Sequence, residues 1–219
     1  MPKLYYTPTS CGASSFISCF VAGITFDCET VDLSTHLTSS SVDFYTINPK
    51  GNVPALVLDD GTVLNENISC LEYISDLSNL NNCKDCTCGK KISPESGTTD
   101  AYLVKQALSY IASELHATIG LFFNPDSRDE KIREFIFKIF EKKMAYLQKH
   151  IIKEDSSFVV GESFSTADAY LHIVLSWTKY LGIDLSNYPV AYTYYNKICE
   201  LEQVKLAKKR IESNPSTTF

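Results

Sequence analysis

The chain has 219 residues, of which 44% are hydrophobic and 21% are charged, and its formal net charge is −6. This composition is typical of a soluble globular protein with one large or two small domains, and the negative charge argues against nucleic acid as a partner because phosphate binding needs a basic surface. Because no signal peptide is visible at Met1 and no apolar run approaches the roughly 18 residues of a membrane span, we expect a cytoplasmic protein without a membrane partner, in which the eight cysteines stay mostly reduced.

The first segment of the chain predicts a strand, a loop and a helix. Lys3 to Thr7 is a short buried strand, and Ala13 to Gly23 has apolar residues at helical spacing. Cys11 lies in the loop, at or just before the helix N-terminus, where free N–H groups are expected to lower its pKa and favour the thiolate. Four other cysteines lie in or beside apolar segments and are interpreted as small buried residues: Cys19, Cys28, Cys70 and Cys199.

A second strand is predicted over Thr25 to Leu33. The helix between the two strands makes them parallel, with a right-handed crossover. The segment that follows, Thr35 to Thr46, is polar and rich in serine, which favours a loop or a short helix.

The stretch from Asn48 to Asn67 has the pattern of a turn, a β-hairpin and the start of a helix. Pro54 stands at the beginning of an apolar strand, where a residue without an N–H is tolerated. The peptide bond before Pro54 can be cis or trans, and a cis bond turns the backbone of Val53 outward, so that its N–H and C=O can pair with an extended peptide. Glu66 and Asn67 then open a helix whose N–H groups can bind a carboxylate. A backbone clamp beside an anion site suits a small peptide.

These elements predict two domains of different class. The order βαβ followed by ββα indicates an α/β, thioredoxin-like domain with a mixed four-stranded sheet over residues 1–78. Residues 79–99 are poor in apolar side chains and are expected to form a linker, and residues 100–212 are predicted to form an all-α helical bundle. Residues 213–219 are interpreted as a disordered tail.

The predicted linker carries three cysteines within six residues, Cys83, Cys86 and Cys88. Such a group could bind zinc or copper or form a disulfide. A closed zinc site needs four ligands, however, and no fourth cysteine or histidine stands at the usual spacing. We therefore expect no metal, and the role of the three thiols stays open.

The predicted helical domain contains a recognisable helix start. Long amphipathic helices are predicted over Tyr102 to Phe122 and over Arg128 to His150. A strongly apolar helix is predicted after Ser165, which is placed as its N-cap with Asp168 as the third helical residue. The two side chains can then satisfy each other's backbone donors in a capping box.

Three sequence stretches together resemble the cytosolic glutathione S-transferase superfamily, and most of all its bacterial beta class. They are NPKGNVPALVLDDGTVLNEN from Asn48, SELH from Ser113 and GESFSTAD from Gly161. The resemblance covers nearly the whole chain and implies the two-domain fold, glutathione as cosubstrate and a homodimer. It also implies that Asp168 is structural.

The resemblance also implies the site residues. Three residues are carried over as catalytic: Cys11, His116 and Tyr6, although periodicity alone places Tyr6 in the core. Seven residues are expected to bind glutathione: Leu33, His36, Asn52, Val53, Pro54, Glu66 and Asn67. The pocket for a hydrophobic substrate is expected to be lined by Phe122, Phe123 and Trp177, although a tryptophan on a core helix is more often a packing residue.

The sequence leaves three functions open. The first is a transferase that conjugates the glutathione thiolate to small electrophilic, hydrophobic substrates. The second is glutathione–disulfide exchange, in which Cys11 itself attacks a disulfide, as in a thiol transferase or a peroxidase-like enzyme. The third is a non-catalytic binding module on the same fold, because fold does not fix function.

Overall fold

The computed structural model describes residues 1–80, 91–152, 157–213 and 215–216. The chain divides into two compact units, which are described separately. The first unit comprises Met1–Ser93 together with Glu200–Phe219, and the second comprises Pro94–Cys199. The last helix thus belongs to the first unit, whereas the sequence groups it with the helical domain.

The first unit is built on a five-stranded mixed sheet. Its strands are β1 (Lys3–Tyr6), β2 (Asp27–Asp32), β3 (Leu37–Thr38), β4 (Ala55–Val57) and β5 (Val63–Leu64). They lie in the order β3-β2-β1-β4-β5, and only β1 and β2 are parallel. The thioredoxin-like fold is confirmed, but the predicted count of four strands is wrong, because β3 adds an edge strand in the serine-rich segment.

The edge strand β3 exists because the chain reverses direction directly after β2. The Asp32 side chain accepts a hydrogen bond from the Ser34 N–H at 2.8 Å, which closes a turn. His36 then adopts a left-handed backbone with φ of 54° and brings Leu37 back beside β2. A short 3₁₀ helix, Phe44–Thr46, follows, so of the loop and the short helix that the sequence leaves open for this segment, the short helix is present.

Three helices complete the first unit: α1 (Gly12–Ala22), α2 (Asn67–Leu80) and α8 (Glu202–Ser213). Both α2 and α8 pack on α1. Gly12 lets α1 start close to the sheet, because a Cβ there would lie only 2.9 Å from the Tyr6 Cβ. Beyond α8, the Pro215 carbonyl accepts a hydrogen bond from the Tyr6 hydroxyl at 2.9 Å, and the Ser216 hydroxyl accepts one from the Thr30 N–H at 3.0 Å. These contacts lie in the segment that the sequence predicts to be disordered.

The helices of the second unit begin with α3 (Thr99–Tyr110), a π-helical segment (Ile111–His116) and α4 (Ala117–Leu121). They continue with α5 (Glu130–Tyr146), a second π-helical segment (Leu147–Ile151), α6 (Thr166–Tyr180) and α7 (Pro189–Glu200). The predicted capping box is present, since the Asp168 side chain accepts a hydrogen bond from the Ser165 N–H at 2.8 Å. The all-α character of this part of the chain is therefore confirmed.

The cysteine-bearing part of the predicted linker, with Cys83, Cys86 and Cys88, lies outside the described residues. Over the described ranges, no three His, Cys, Asp or Glu side chains are grouped so that they could hold a metal ion. None of the helices in the described part of the chain combines the length and the apolar character that a membrane span requires.

Four buried thiols in the first unit predict a loss of stability in alkaline solution. Burial raises the pKa of Cys11, Cys28 and Cys70 to about 12 and that of Cys19 well above its ordinary value. The folded protein keeps these protons while the unfolded chain releases them. Stability is therefore complete below the ordinary thiol pKa of 9.0 and falls as the pH rises from there towards about 12. Each thiol lowers the free energy of unfolding by about 1.4 kcal/mol per pH unit in this window.

Urea unfolding at about pH 8 and about pH 10 measures this effect. The substitution Cys28→Ala is expected to reduce the pH dependence of the free energy of unfolding by the contribution of one thiol. The matched substitution of a fully buried residue of the same unit that does not titrate, Ser18→Ala, should leave the pH dependence unchanged. A free energy of unfolding that is independent of pH over this range would contradict the prediction.

Candidate functional site

The backbone of Val53 lies just outside the sheet. Strand β4 begins at Ala55, which pairs with Tyr5, so the ladder does not extend to Val53. The Val53–Pro54 peptide bond is cis, one of the two forms that the sequence leaves open. The Cys11 thiol donates a hydrogen bond to the Val53 carbonyl, with 3.5 Å between sulfur and oxygen. The backbone of Val53, which is unpaired in the sheet, and the Cys11 thiol therefore lie next to each other.

Asn48 fixes the turn that precedes Val53, and the sequence reasoning missed it. Its side chain is fully buried, and its Nδ2 donates to the Asn52 carbonyl at 2.6 Å. Its Oδ1 accepts a hydrogen bond from the Asn65 side chain at 3.0 Å. Asn48 thus ties the turn to the chain leading into α2. The sequence does contain a signal for this role, because Asn48 directly precedes Pro49, and an Asn side chain commonly closes a turn at such a position.

The two residues at the start of α2 have different surroundings. Glu66 is exposed and forms an ion pair with Lys50. The Asn67 side chain is buried instead, where its Oδ1 accepts from the Ser15 hydroxyl at 3.1 Å and its Nδ2 donates to the Ser14 hydroxyl at 3.2 Å. The predicted ligand contact therefore fits the Glu66 side chain, whereas the Asn67 side chain joins α1 to α2.

His36 lies in a small aromatic cluster before the turn. Its ring is 4.6 Å from that of Tyr45, centroid to centroid. Gly51, with φ of +68°, makes room for both rings, because a Cβ there would lie 2.6 Å from the Tyr45 Cε1. The Nδ1 atom of His36 is buried and has no hydrogen-bond partner among the described residues. Leu33 lies nearby in sequence with an exposed side chain.

The expectation of a lowered pKa for Cys11 is wrong. Burial raises the pKa of the Cys11 thiol to about 12, and the nearby charge of Glu66 acts in the same direction. Hydrogen bonds from the backbone at Cys11 and Gly12 oppose this rise but do not cancel it. Without a ligand, Cys11 is therefore a protonated thiol at neutral pH and a hydrogen-bond donor.

The structure does not support a catalytic Tyr6. Its side chain is fully buried and stacks on Phe16, and its hydroxyl donates a hydrogen bond to the Pro215 carbonyl. Burial also raises the pKa of this hydroxyl well above its ordinary value. The core position that strand periodicity predicts for Tyr6 is confirmed.

His116 ends the first π-helical segment of the second unit and lies in an aromatic cluster. Its Nδ1 is 2.6 Å from the Tyr170 hydroxyl oxygen, and its ring meets that of Trp177 edge-on at 4.8 Å between centroids. Burial lowers the pKa of His116, so its imidazole is neutral at pH 7. A neutral imidazole next to a hydroxyl suits hydrogen bonding and proton transfer.

The three residues expected to line a substrate pocket have different environments. Phe122 is buried against Phe140, with 6.0 Å between the ring centroids, so its assignment to a pocket is not supported. Phe123 is 54% exposed, and its ring meets that of Trp177 at 6.1 Å. Trp177 is buried between Phe123 and His116. These contacts leave Phe123 as the apolar side chain that solvent reaches.

Comparison with known proteins finds both halves of the chain in one family. The N-terminal domain of glutathione S-transferases matches residues 16–77, and the C-terminal domain matches residues 113–209. Glutathione S-transferase GstA of Escherichia coli O157:H7 is 30% identical over 203 residues, which cover 93% of this chain and 95% of the relative.

Two solved structures extend the comparison. A sphingomonad glutathione S-transferase complexed with glutathione is 32% identical, with a TM-score of 0.84 and coverage of 96% of this chain and 99% of that one. A bacterial beta-class glutathione S-transferase of Sphingomonas chungbukensis is 33% identical, with a TM-score of 0.82 and coverage of 94% and 97%.

A thioredoxin-like unit with a backbone edge at a cis-proline, together with a helical unit, defines the glutathione-transferase class of fold. The chain belongs to the glutathione S-transferase family, as an enzyme of the transferase type similar to bacterial beta-class members. The expected family and fold class are therefore confirmed.

Proposed function

We propose that the protein binds glutathione as cosubstrate and conjugates its thiolate to small hydrophobic electrophiles. Relatives of known structure support the first half of this proposal, since the sphingomonad enzyme is complexed with glutathione. We also propose, on the resemblance to the family, that the enzyme acts in the cytoplasm as a homodimer.

The observation that carries the proposal is the contact between Cys11 and Val53. An extended tripeptide that pairs with the N–H and C=O of Val53 lies alongside the backbone that leads into β4, in the manner of an added strand. Because the Cys11 sulfur lies 3.5 Å from that carbonyl, the central cysteine of glutathione brings its sulfur next to Cys11. Asn52 and Pro54 flank this pairing.

The ends of glutathione have matching groups in the first unit. The γ-glutamyl end carries an ammonium and a carboxylate, which suit the Glu66 carboxylate and the free N–H groups in the first turn of α2. Lys50, which already contacts Glu66, adds a positive charge there. The glycine end lies towards His36 and Leu33 in this proposal.

Activation of glutathione then depends on hydrogen bonds to its sulfur. The protonated Cys11 thiol donates such a bond, which favours the glutathione thiolate over the thiol. The resemblance to the family also assigns roles in conjugation to three residues of the second unit, His116, Phe123 and Trp177. The glutathione thiolate, once its proton has passed to solvent, attacks the electrophile and forms a carbon–sulfur bond with departure of the leaving group.

Calorimetric titration with glutathione, followed by conjugation of a chlorinated aromatic, tests the proposal. We expect Glu66→Gln to weaken glutathione binding about tenfold, because one charge-assisted contact with the ammonium is lost. Glu202→Gln is the matched control, since Glu202 is an exposed glutamate at the start of another helix, and the affinity of this variant for glutathione should equal that of the wild type. Absence of glutathione binding to the wild type would overturn the enzyme proposal.

Disulfide exchange is the second candidate, and the same Cys11 position favours it. The Cys11 thiolate would attack the glutathionyl sulfur of a mixed disulfide, release the substrate thiolate and form a Cys11–glutathione disulfide. A second glutathione thiolate would then restore Cys11 and release glutathione disulfide. The raised pKa of Cys11 weighs against this route, because the thiolate is the attacking species. Glutathione binding without either activity would point to a binding module.

A further inference from the structure

One buried amide joins the turn before Val53 to the start of α2, and all of its contacts lie within the first unit. The Asn48 Nδ2 donates to the Asn52 carbonyl at 2.6 Å and to the Asn52 Oδ1 at 3.1 Å. The Asn48 Oδ1 accepts from the Asn65 Nδ2 at 3.0 Å and from the Lys50 N–H at 3.2 Å. Asn48 is fully buried, so it acts on its surroundings only through these groups.

The first of these hydrogen bonds sets the direction of the Val53 N–H. The Asn52 carbonyl and the Val53 N–H belong to the same planar peptide group. Because this peptide bond is trans, its C=O and N–H point in opposite directions. With the carbonyl held by the buried Asn48 side chain, the N–H points away from the turn. Asn48 thereby orients the donor that the proposed pairing with glutathione uses.

The other side of the amide holds the charged groups that suit the γ-glutamyl end. Asn65 directly precedes Glu66, so the hydrogen bond from Asn65 to Asn48 places the start of α2 against the turn. Lys50 reaches across in the opposite direction, where its Nζ lies 3.5 Å from the Asn65 carbonyl oxygen and pairs with Glu66. The carboxylate of α2 and the ammonium of the turn therefore meet at one place.

We propose that Asn48 is a positioning residue for glutathione, because it sets the direction of the Val53 N–H and holds Glu66 in register with it. This inference rests on the proposed function. A tripeptide whose cysteine pairs with Val53 reaches Glu66 with its γ-glutamyl end while the Asn65–Asn48 hydrogen bond is intact. Two separate stretches of the chain then bind the peptide as one preassembled site.

A double-substitution cycle on glutathione affinity tests the link to Glu66. Asn65→Ala removes the hydrogen bond to Asn48 at a half-buried position and is expected to raise the Kd for glutathione about tenfold. In this background, Glu66→Gln should weaken binding by no more than about threefold, instead of about tenfold, because Glu66 is no longer held towards the ligand. Calorimetric titration measures all four proteins.

The matched control for Asn65→Ala is Asp60→Ala in the turn between β4 and β5. The exposed Asp60 side chain also closes a turn, since it accepts from the Thr62 N–H at 2.9 Å. Asp60→Ala should bind glutathione like the wild type, and Glu66→Gln should still cost about tenfold in its background.

Asn48→Asp tests the side that faces Val53. An aspartate has the same shape and still accepts from Asn65 and Lys50, but its carboxylate has no proton for the Asn52 carbonyl. The ¹⁵N–¹H resonance of Val53 should shift in the free variant. The KM for glutathione should rise about tenfold, with kcat for conjugation within about threefold of the wild type. Asn124→Asp is the control, because the Asn124 Oδ1 accepts from the Asp126 N–H, which an aspartate also does.

Several results would overturn the proposal. Additive losses from Asn65→Ala and Glu66→Gln, or a wild-type affinity in Asn65→Ala, would remove the link to Glu66 and leave the proposed function in place. These two results decide the matter even if Asn48→Asp does not fold. A fall of kcat as large as the rise of KM in Asn48→Asp would indicate general damage to the site. A wild type that does not bind glutathione would overturn the proposed function together with this inference.

Discussion

Replacement of Asp168 by asparagine is expected to lower the free energy of unfolding by about 3–5 kcal/mol. The Asp168 carboxylate is fully buried. It accepts hydrogen bonds from the N–H groups of Val159 and Ser165 and from the hydroxyls of Ser165 and Tyr194. An asparagine turns one of its oxygens into a donor, so at least one buried donor loses its acceptor.

Urea unfolding of Asp168→Asn against the wild type measures this loss. The matched control is Asp129→Asn at the exposed N-cap of α5, where the Asp129 side chain accepts from the Lys131 N–H at 2.9 Å. Asparagine caps a helix about as well as aspartate, so this variant should unfold like the wild type. Equal stability of the Asp168 and Asp129 variants would show that the buried network contributes little.

Substitution of Cys11 by serine is expected to separate the two chemistries. We expect conjugation to stay within about threefold of the wild type, because the serine hydroxyl also donates a hydrogen bond to the glutathione sulfur. Exchange with a glutathione mixed disulfide should fall by about 1,000-fold or more, since its nucleophile is lost. Both rates are measured on one preparation of each variant.

Cys199→Ser serves as the control for Cys11→Ser, because Cys199 is a half-buried cysteine of the second unit. It should change neither rate. Loss of conjugation in Cys11→Ser, at unchanged affinity for glutathione, would contradict the prediction and place Cys11 at the chemical step of conjugation.

The parts of the fold that local sequence patterns encode were predictable. The capping box of Ser165 with Asp168 follows from neighbouring residues, and it is present. Strand β3 was not predictable in the same way, because Leu37–Thr38 has only two residues and no alternating apolar pattern. Its pairing depends on the turn at Asp32 and the left-handed backbone of His36.

The candidate site was predicted less completely, because side-chain environments depend on distant parts of the chain. The partner of the Tyr6 hydroxyl, Pro215, is 209 residues away. Proximity to a helix N-terminus suggested a reactive Cys11, but burial has the larger effect on its pKa. Phe122 and Phe123 are adjacent in sequence. Because α4 ends at Leu121, directly before them, the sequence does not show that Phe122 is buried and Phe123 is exposed.

Pairing of glutathione with the backbone of Val53 is the central claim, and amide NMR tests it most directly. In a titration with glutathione, the ¹⁵N–¹H resonances of Val53 and Cys11 are expected to shift and to saturate with the affinity that calorimetry gives. Unchanged resonances of both residues at saturating glutathione would contradict the claim.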